Sequence, residues 1–541
     1  ACHAKGDGPD HAYGTAGFRA HADGLDHVMY RMGILAALRS KCLGGRAVGL
    51  MVTASHNPER DNGVKLVEPM GEMFPLDWEP QATVLANASD DDLGSAIEAI
   101  CKEFDVSLSA EAVVVVGRDT RASSAAMAIA ACDGVGTMQP SRVRSLGLVT
   151  TPQLHYVVRC IETRGGYGAP STQGYVEKLL AAFEKLASSK TTGECQRYAP
   201  QITVDCANGV GSVSMRQMLR SGSASFSSLL SPTLVNLQPT AERGLNDGCG
   251  ADFVKVKQVA PGGVDLKEGM RMVSFDGDAD RIVYFFHDGE VFRLLDGDRI
   301  ALLLAHAVAS WLKEAGIDGL RLGLVQTAYA NGASTACATA AVGTENVICA
   351  KTGVKHVHHA ALVMDIGIYF EANGHGTVLF SDKFVDLCSK ASEVEGPAGS
   401  AAQRLLMLRD VINEAVGDAL SIMLAVEAVL RLLDWSCAEW LALYSDLPQR
   451  QIKVVVADRS IFETTNAERT CTKPDGLQVE IDRLVATVPR GRAFVRPSGT
   501  EDVVRVYVEA ETLEATLALG QAIVDVTYSL AGGKGDKPVV T

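Results

Sequence analysis

The chain of 541 residues has a net charge of −15, a pI near 5.3, 47% hydrophobic and 21% charged residues. That length exceeds what one hydrophobic core organises and predicts three or four domains. The acidity argues against a nucleic-acid or anionic-membrane partner, so an anionic ligand needs a local basic pocket.

In chain order, Ala1–Gly14 has no apolar core of a signal peptide. Thr53-Ala54-Ser55-His56-Asn57-Pro58 then sets a hydroxyl beside an imidazole on a turn. Asn-Pro also starts ordinary turns, so this segment alone divides evenly between turn and nucleophile. His56 can donate to phosphate oxygens or move a proton. Lys65 adds a cation on the following strand. Val113–Val116 leads into Gly117-Arg118-Asp119-Thr120-Arg121, and Ile202–Val204 into a loop ending in Gly209-Val210-Gly211. The latter lacks the third glycine of a dinucleotide fingerprint.

Met272–Phe275 reads as a strand running into Asp276-Gly277-Asp278-Ala279-Asp280-Arg281. Alternating carboxylates on an extended segment share one side and can converge on one Mg²⁺, a hard cation that prefers oxygen ligands. Arg281 can balance that charge and grip a phosphoryl oxygen. Ala301–Glu314 reads as an amphipathic helix and Leu320–Val325 as a strand. Strands alternating with helices, each ending in a Gly- or Asp-rich turn, indicate α/β units whose ligands collect at strand carboxyl ends.

His356, His358 and His359 lack nearby cysteines and a fourth ligand, which disfavours zinc. Glu371 and Asn373 alternate along the Gly-rich loop Phe370–Gly376 and can reach adjacent sugar hydroxyls. Ser389–Ser400 reads as a surface loop. Ala419–Tyr444 is the most apolar stretch, but Glu427, Arg431 and Asp434 interrupt it, as in a buried helix rather than a membrane span.

From about Leu447 the pattern predicts an α+β domain: strands at Gln451–Val456, Gln478–Ile481 and Val503–Glu509, a helix at Leu513–Leu530 and a flexible tail from Gly532. Within it, Arg496-Pro497-Ser498-Gly499-Thr500 offers a guanidinium, two hydroxyls and backbone N–H groups, a nest for a phosphate dianion. Arg505 assists there or pairs with a carboxylate. Thirteen cysteines, an odd count without a CxxC pair, fit a reduced, cytoplasmic chain.

A phosphorylatable serine, a Mg²⁺ loop and a separate phosphate nest imply phosphoryl transfer through a phosphoenzyme. No GxxxxGK[ST] loop supports ATP as the donor. A haloacid-dehalogenase-like phosphatase needs a DxDx[TV] setting, whereas Arg281 follows here.

These four motifs, in this order, resemble the α-D-phosphohexomutase superfamily over nearly the whole chain. The segments Tyr13–Arg19, Leu245–Lys255, Thr352–His356, Glu371–Thr377 and Gly499–Val506 resemble its N-acetylglucosamine-phosphate branch. The resemblance implies three related α/β domains with mixed sheets and a smaller C-terminal α+β domain around one cleft, divided as 1–190, 191–300, 301–446 and 447–541. It implies that Ser55 is the phosphoserine and, with Asp276, Asp278 and Asp280, a ligand of one Mg²⁺. Arg19, His56, Lys65 and Arg281 would line the catalytic centre. Glu371 and Asn373 would read the sugar, and Arg496, Ser498, Gly499, Thr500 and Arg505 would hold its non-reacting phosphate. The expected protein is a monomeric mutase of sugar phosphates with neither nucleic acid nor membrane as partner. It would interconvert N-acetylglucosamine 6-phosphate and 1-phosphate for UDP-N-acetylglucosamine synthesis. A mutase of glucose-, mannose- or glucosamine-phosphate, or a catalytically silent sugar-phosphate-binding relative, stays open at this point.

Overall fold

Apolar runs rich in β-branched residues bury as strands on both faces, as parallel and mixed sheets require. The computed structural model describes residues 3–14, 17–190, 192–498 and 502–541. Its first sheet has the order β1-β3-β2-β4-β5, from β1 (Phe18–His21), β2 (Ala47–Val52), β3 (Asp61–Val67), β4 (Ala112–Arg118) and β5 (Ser141–Leu148). The second contains β6 (Gln201–Asp205), β7 (Ser231–Val235), β8 (Met272–Phe275), β9 (Ile282–His287) and β10 (Phe292–Leu295), ordered β10-β9-β8-β6-β7. The third contains β11 (Leu322–Thr327), β12 (Val347–Ala350), β13 (Ile366–Phe370) and β14 (Gly376–Phe380), ordered β12-β11-β13-β14.

One pattern recurs in all three. A central strand pairs in parallel on one side and antiparallel on the other: β2 between β4 and β3, β8 between β6 and β9, β13 between β11 and β14. The loops bearing Ser55, the three aspartates and Glu371 all leave the carboxyl end of that central strand and return along its antiparallel neighbour. In the first sheet this hairpin precedes the parallel pair β4–β5 in the chain; in the other two it follows the pair.

A smaller unit closes the chain: β15 (Gln449–Val455), β16 (Glu463–Thr465), β17 (Thr470–Lys473), β18 (Arg492–Pro497) and β19 (Val503–Glu509). The antiparallel order is β15-β19-β18, with β16–β17 a separate hairpin. Helix Leu513–Leu530 contributes Leu519, Ile523 and Val524 to its core with Val454, Val504 and Val506. Three mixed α/β sheets and an α+β unit match the expected fold class.

Helix Ala419–Leu433 is buried from Ala419 to Arg431. Each large aliphatic side chain there contributes roughly 1.5–3 kcal/mol through burial. Its charges are satisfied internally: Glu427 accepts from Tyr198 (3.0 Å) and Arg271 (2.8 Å), and Arg431 Nε donates to Ala187 O (3.0 Å). The helix stops at Asp434, where φ is +55°, so Ala419–Tyr444 is two helices rather than one. Among the described residues, no helix is long and apolar enough to cross a membrane.

Other sequence expectations change. Gln478–Ile481 lies in helix Leu477–Val485, because Leu477, Ile481 and Leu484 repeat at helical spacing and stack on one face. Ser389–Ser400 ends one helix, Asp382–Ser392, and begins another, Pro397–Val411; Pro397 is a first-turn signal rather than a loop residue. The tail from Gly532 is tied down, with Lys534 N donating to Val455 O (3.0 Å) and Val540 N to Gln521 Oε1 (3.0 Å). Residue 300, an expected boundary, lies inside helix Gly297–Ala315, and helix Thr172–Ala187 packs on helices Pro397–Val411 and Ala419–Leu433.

Candidate active site

Ser55 is fully buried at the end of β2 with φ +51°. A non-glycine residue adopts that region at a cost of about 1–2 kcal/mol, so surrounding groups must hold it. Arg121 does so. Its Nη2 donates to Ser55 O and Asn57 O, each at 2.9 Å, its Nη1 to Asp61 O at 2.8 Å, and its Nε to Asp119 at 3.0 Å. From the second unit, Asn246 Nδ2 donates to Ser55 O at 2.8 Å. Gly277 packs so closely that a Cβ there would lie 2.7 Å from Ser55 O.

The Ser55 hydroxyl donates to Asp276 Oδ2 at 2.7 Å, across 221 residues of sequence. Asp276, Asp278 and Asp280 are all buried, with oxygens within 4.8 Å of one another. Asp276 Oδ1 accepts the backbone N–H groups of Asp280 and Arg281, each at 3.1 Å. Asp278 Oδ2 accepts from Thr151 Oγ1 (2.6 Å) and Lys65 Nζ (3.0 Å), and Asp280 Oδ2 from Lys65 Nζ (2.9 Å). Asp278 Oδ1 and Asp280 Oδ1 are buried with no hydrogen-bond partner, although His375 Nδ1 lies 3.6 Å from the latter. Three converging carboxylates, two of them with an oxygen that accepts no hydrogen bond, are a fitting donor set for Mg²⁺.

The electrostatics agree. Burial, then Asp280 and Asp278, drives the Asp276 carboxyl well above its ordinary value. Burial pushes Asp280 up too, but Lys65, His375 and Arg281 outweigh it and hold this carboxyl well below the usual range. Asp278 also falls, despite burial and Asp280, because Lys65 and Thr151 stabilise its anion. Three carboxylates this close cannot all ionise without added positive charge, and a divalent cation supplies it.

Around them stand three cations. Arg281 Nε lies 3.9 Å from both Asp276 and Asp280, and Arg19 Nη1 donates to His56 Nδ1 at 3.4 Å. The Nε atoms of Arg19 and Arg281 are buried and donate no hydrogen bond. Burial, then Arg281 and Arg19, lowers the His56 imidazole to about 3, so it is neutral near pH 7. A cavity of 160 Å³ is lined by Arg19, Lys65, Asp280, Arg281, Lys355 and Glu371, among others. Glu371 also lines a larger cleft of 820 Å³ that reaches Asn373, Arg496 and Arg505. Glu371 thus lines both the cavity around Arg19, Lys65 and Arg281 and the larger cleft.

The Glu371–His375 loop is pinned to the residues after the three aspartates. Gly374 has φ +87°, and a Cβ there would lie 1.9 Å from Ile282 O. His375 Nδ1 hydrogen-bonds Asp280 O at 2.9 Å. Glu371 Oε1 accepts from Gly353 N (3.2 Å) and its Oε2 from Asn373 Nδ2 (3.3 Å), while Asn373 Oδ1 accepts from His375 N (2.9 Å). Asn373 keeps one amide hydrogen and one lone pair for a ligand.

Arg496 on β18 and Arg505 on β19 sit directly opposite in register and both line the cleft. Like charges in that relation are destabilising unless an anion bridges them. Arg496 Nε donates to Tyr329 Oη at 2.8 Å and its Nη1 to Glu468 Oε1 at 2.8 Å. Ser498 is buried beside them, its N–H donating to Val503 O at 2.9 Å. Gly499 and Thr500, also expected here, lie outside the described residues.

Two contributors were missed in the sequence. Arg121 was visible only as part of a turn after β4; its grip on the Ser55 loop is tertiary. Lys355 stood in a noted motif without a role; it is buried, ion-paired with Glu79, and lines the smaller cavity. His358, among the histidines considered for zinc, instead hydrogen-bonds Tyr369 Oη at 3.1 Å.

Comparison with known proteins gives four family matches in chain order. Residues 34–90 and 91–167 match phosphoglucomutase/phosphomannomutase, alpha/beta/alpha domain I. Residues 168–283 and 296–435 match phosphoacetylglucosamine mutase AMG1, domains II and III. Residues 452–526 match the phosphoglucomutase/phosphomannomutase C-terminal domain. The phosphoacetylglucosamine mutase of Homo sapiens is 48% identical over 541 residues, spanning 99% of this chain and 97% of that protein. That of Saccharomyces cerevisiae is 43% identical, spanning 92% of each. A crystal structure of Aspergillus fumigatus N-acetylphosphoglucosamine mutase in complex with GlcNAc-6P and magnesium superposes with a TM-score of 0.91 at 46% identity, covering 97% of each chain.

Proposed function

We propose a catalytic cycle from the premise that this chain belongs to the phosphoacetylglucosamine mutase family of the α-D-phosphohexomutases. It is a phosphosugar mutase that interconverts N-acetylglucosamine 6-phosphate and N-acetylglucosamine 1-phosphate, a step toward UDP-N-acetylglucosamine. The observation that carries the cycle is the 2.7 Å contact between Ser55 Oγ and Asp276, which puts a hydroxyl from one unit on the acidic loop of another.

Ser55 carries a phosphoryl group. Glu371 and Asn373 hold the sugar so that its free hydroxyl faces that phosphorus, while Arg496, Ser498, Arg505 and the adjoining Gly499 and Thr500 hold the phosphate already present. The bond from phosphorus to Ser55 Oγ breaks as the bond to the sugar oxygen forms, and the proton lost by the sugar hydroxyl is balanced by the one that Ser55 Oγ gains as it returns to the hydroxyl form. Arg19, Lys65 and Arg281 stabilise charge on the transferring oxygens, and neutral His56 hydrogen-bonds there. Asp276, Asp278, Asp280 and an oxygen on Ser55 would hold Mg²⁺, which supplies electrostatic stabilisation of the phosphoryl group. The bisphosphorylated sugar then turns over in the cleft and returns its other phosphoryl group to Ser55.

The loops come from every unit of one chain, which supports a monomer as the working form. No disulfide joins two of the described cysteines, which fits a reducing, cytoplasmic setting. Substrate choice is tested by kcat/KM for N-acetylglucosamine 6-phosphate against glucose 6-phosphate and glucosamine 6-phosphate. A site whose polar atoms pair with the N-acetyl group discriminates against sugars lacking it. Equal efficiency on either of those sugars would refute this preference.

A further inference from the structure

Hairpin β16–β17 turns through Asn466, Ala467 and Glu468, three consecutive non-glycine residues with φ of +52°, +55° and +66°. Such backbone is disfavoured for L-residues, so the turn is held by what it positions. That is the Glu468 carboxylate. Its Oε1 accepts from Arg496 Nη1 at 2.8 Å and its Oε2 from Thr352 N at 3.0 Å. The residue after Thr352, Gly353, donates its N–H to Glu371. One carboxylate therefore joins the phosphate arm of the fourth unit to the backbone that braces the sugar loop of the third. The ion pair is largely shielded, its side chains 16% and 17% exposed.

A phosphate dianion approaching Arg496 meets a guanidinium that already has Tyr329 on Nε and an anion on Nη1. Two of its five N–H groups are thus committed, and a dianion on the others lies close enough to the Glu468 carboxylate for the two anions to weaken each other's hold on it. We propose that Glu468 competes with the substrate's phosphate for Arg496, and so lets the bisphosphorylated sugar leave that site and turn over in the cleft. This rests on the reading of Arg496 as a phosphate ligand. The reaction requires it physically: an intermediate that must vacate its phosphate site is trapped if that site binds it too tightly. A carboxylate returning to Arg496 replaces the departing charge and spares a shielded guanidinium from being left unpaired. Glu468 is thus a positioning residue that acts through Arg496.

The test uses the full chain with Mg²⁺. On a Ser55→Ala background, which cannot turn over, calorimetry measures Kd for N-acetylglucosamine 6-phosphate with Glu468→Gln, Glu468→Ala or Arg496→Met added. Removing the carboxylate should tighten Kd by roughly three- to tenfold, the scale of a part-buried ion pair; Arg496→Met should weaken it. In the active chain, Glu468→Gln should lower KM and kcat together, whereas a purely structural residue would raise KM. If both Glu468 variants leave Kd unchanged or weaker while Arg496→Met weakens it, competition is overturned and the phosphate site stands. If Arg496→Met leaves Kd unchanged, the phosphate reading itself fails. A tighter Kd with unchanged or higher kcat overturns the role in turnover.

Discussion

Arg121 spends its guanidinium on main-chain carbonyls of the Ser55 loop and on Asp119, a pattern that only its planar fork of donors can reproduce. Arg121→Lys should therefore lower turnover at least about 100-fold through misplacement of Ser55, with a modest fall in Tm; wild-type kcat in that variant would refute the positioning role. Ser55→Ala removes one buried hydroxyl and the covalent intermediate. Turnover should drop by several orders of magnitude while circular dichroism stays native. Asp298, in the wall of the large cleft, gives a prediction with a sign. Burial, then Asp296, raises its carboxyl to about 8. The folded chain thus holds a proton that the unfolded chain releases near the ordinary 3.8. This contribution to stability is complete below about pH 4 and is lost as pH rises through 8. The Tm of Asp298→Asn should gain on wild type from pH 5 to 8 and level off above; a constant difference would refute the shift.

At the scale of elements, each hairpin loop is a rigid part. Gly374→Ala would put a methyl group 1.9 Å from Ile282 O at a φ of +87°. It should cost about 1–3 kcal/mol of stability and raise KM for the sugar phosphate, read by thermal melts and kinetics; a neutral result would mean that the loop is not wedged against β9. Much of this level was legible in the sequence. β-branched runs between turn residues marked β4, β6, β8 and β11, and the chemistry sat in the loops that follow such strands. Gln478–Ile481 misled because Val479 and Ile481 favour strands, while the apolar spacing that makes the helix extends beyond that window. The Ser389–Ser400 segment misled because Gly and Pro mark helix ends as often as loops. Arg121, Lys355 and Glu468 could not be read, since each is placed by tertiary contacts, and no local pattern encodes those. Ser55 and the three aspartates could be, because each motif carries its chemistry in consecutive residues.

For the whole molecule, the fourth unit has its own core, built from residues between Val454 and Val540, separate from the cores beneath the other three sheets. A chain ending at residue 446 should keep the remaining cores folded yet lose the Arg496 and Arg505 pair. Its turnover should fall more than about 100-fold with a matching loss of affinity for sugar phosphate, checked by kinetics and calorimetry; retained affinity would place the phosphate elsewhere. The recurring hairpin between a central strand and its antiparallel neighbour has a different kind of consequence. One architectural address has been let three times, to the Ser55 loop, the three aspartates and the Glu371 loop. Both ends of each tenancy are fixed by paired strands, so the occupant of one can be rewritten while the others are inherited unchanged. A lineage can acquire a taste for a new sugar at the third address and still pass on its phosphoryl-transfer apparatus intact.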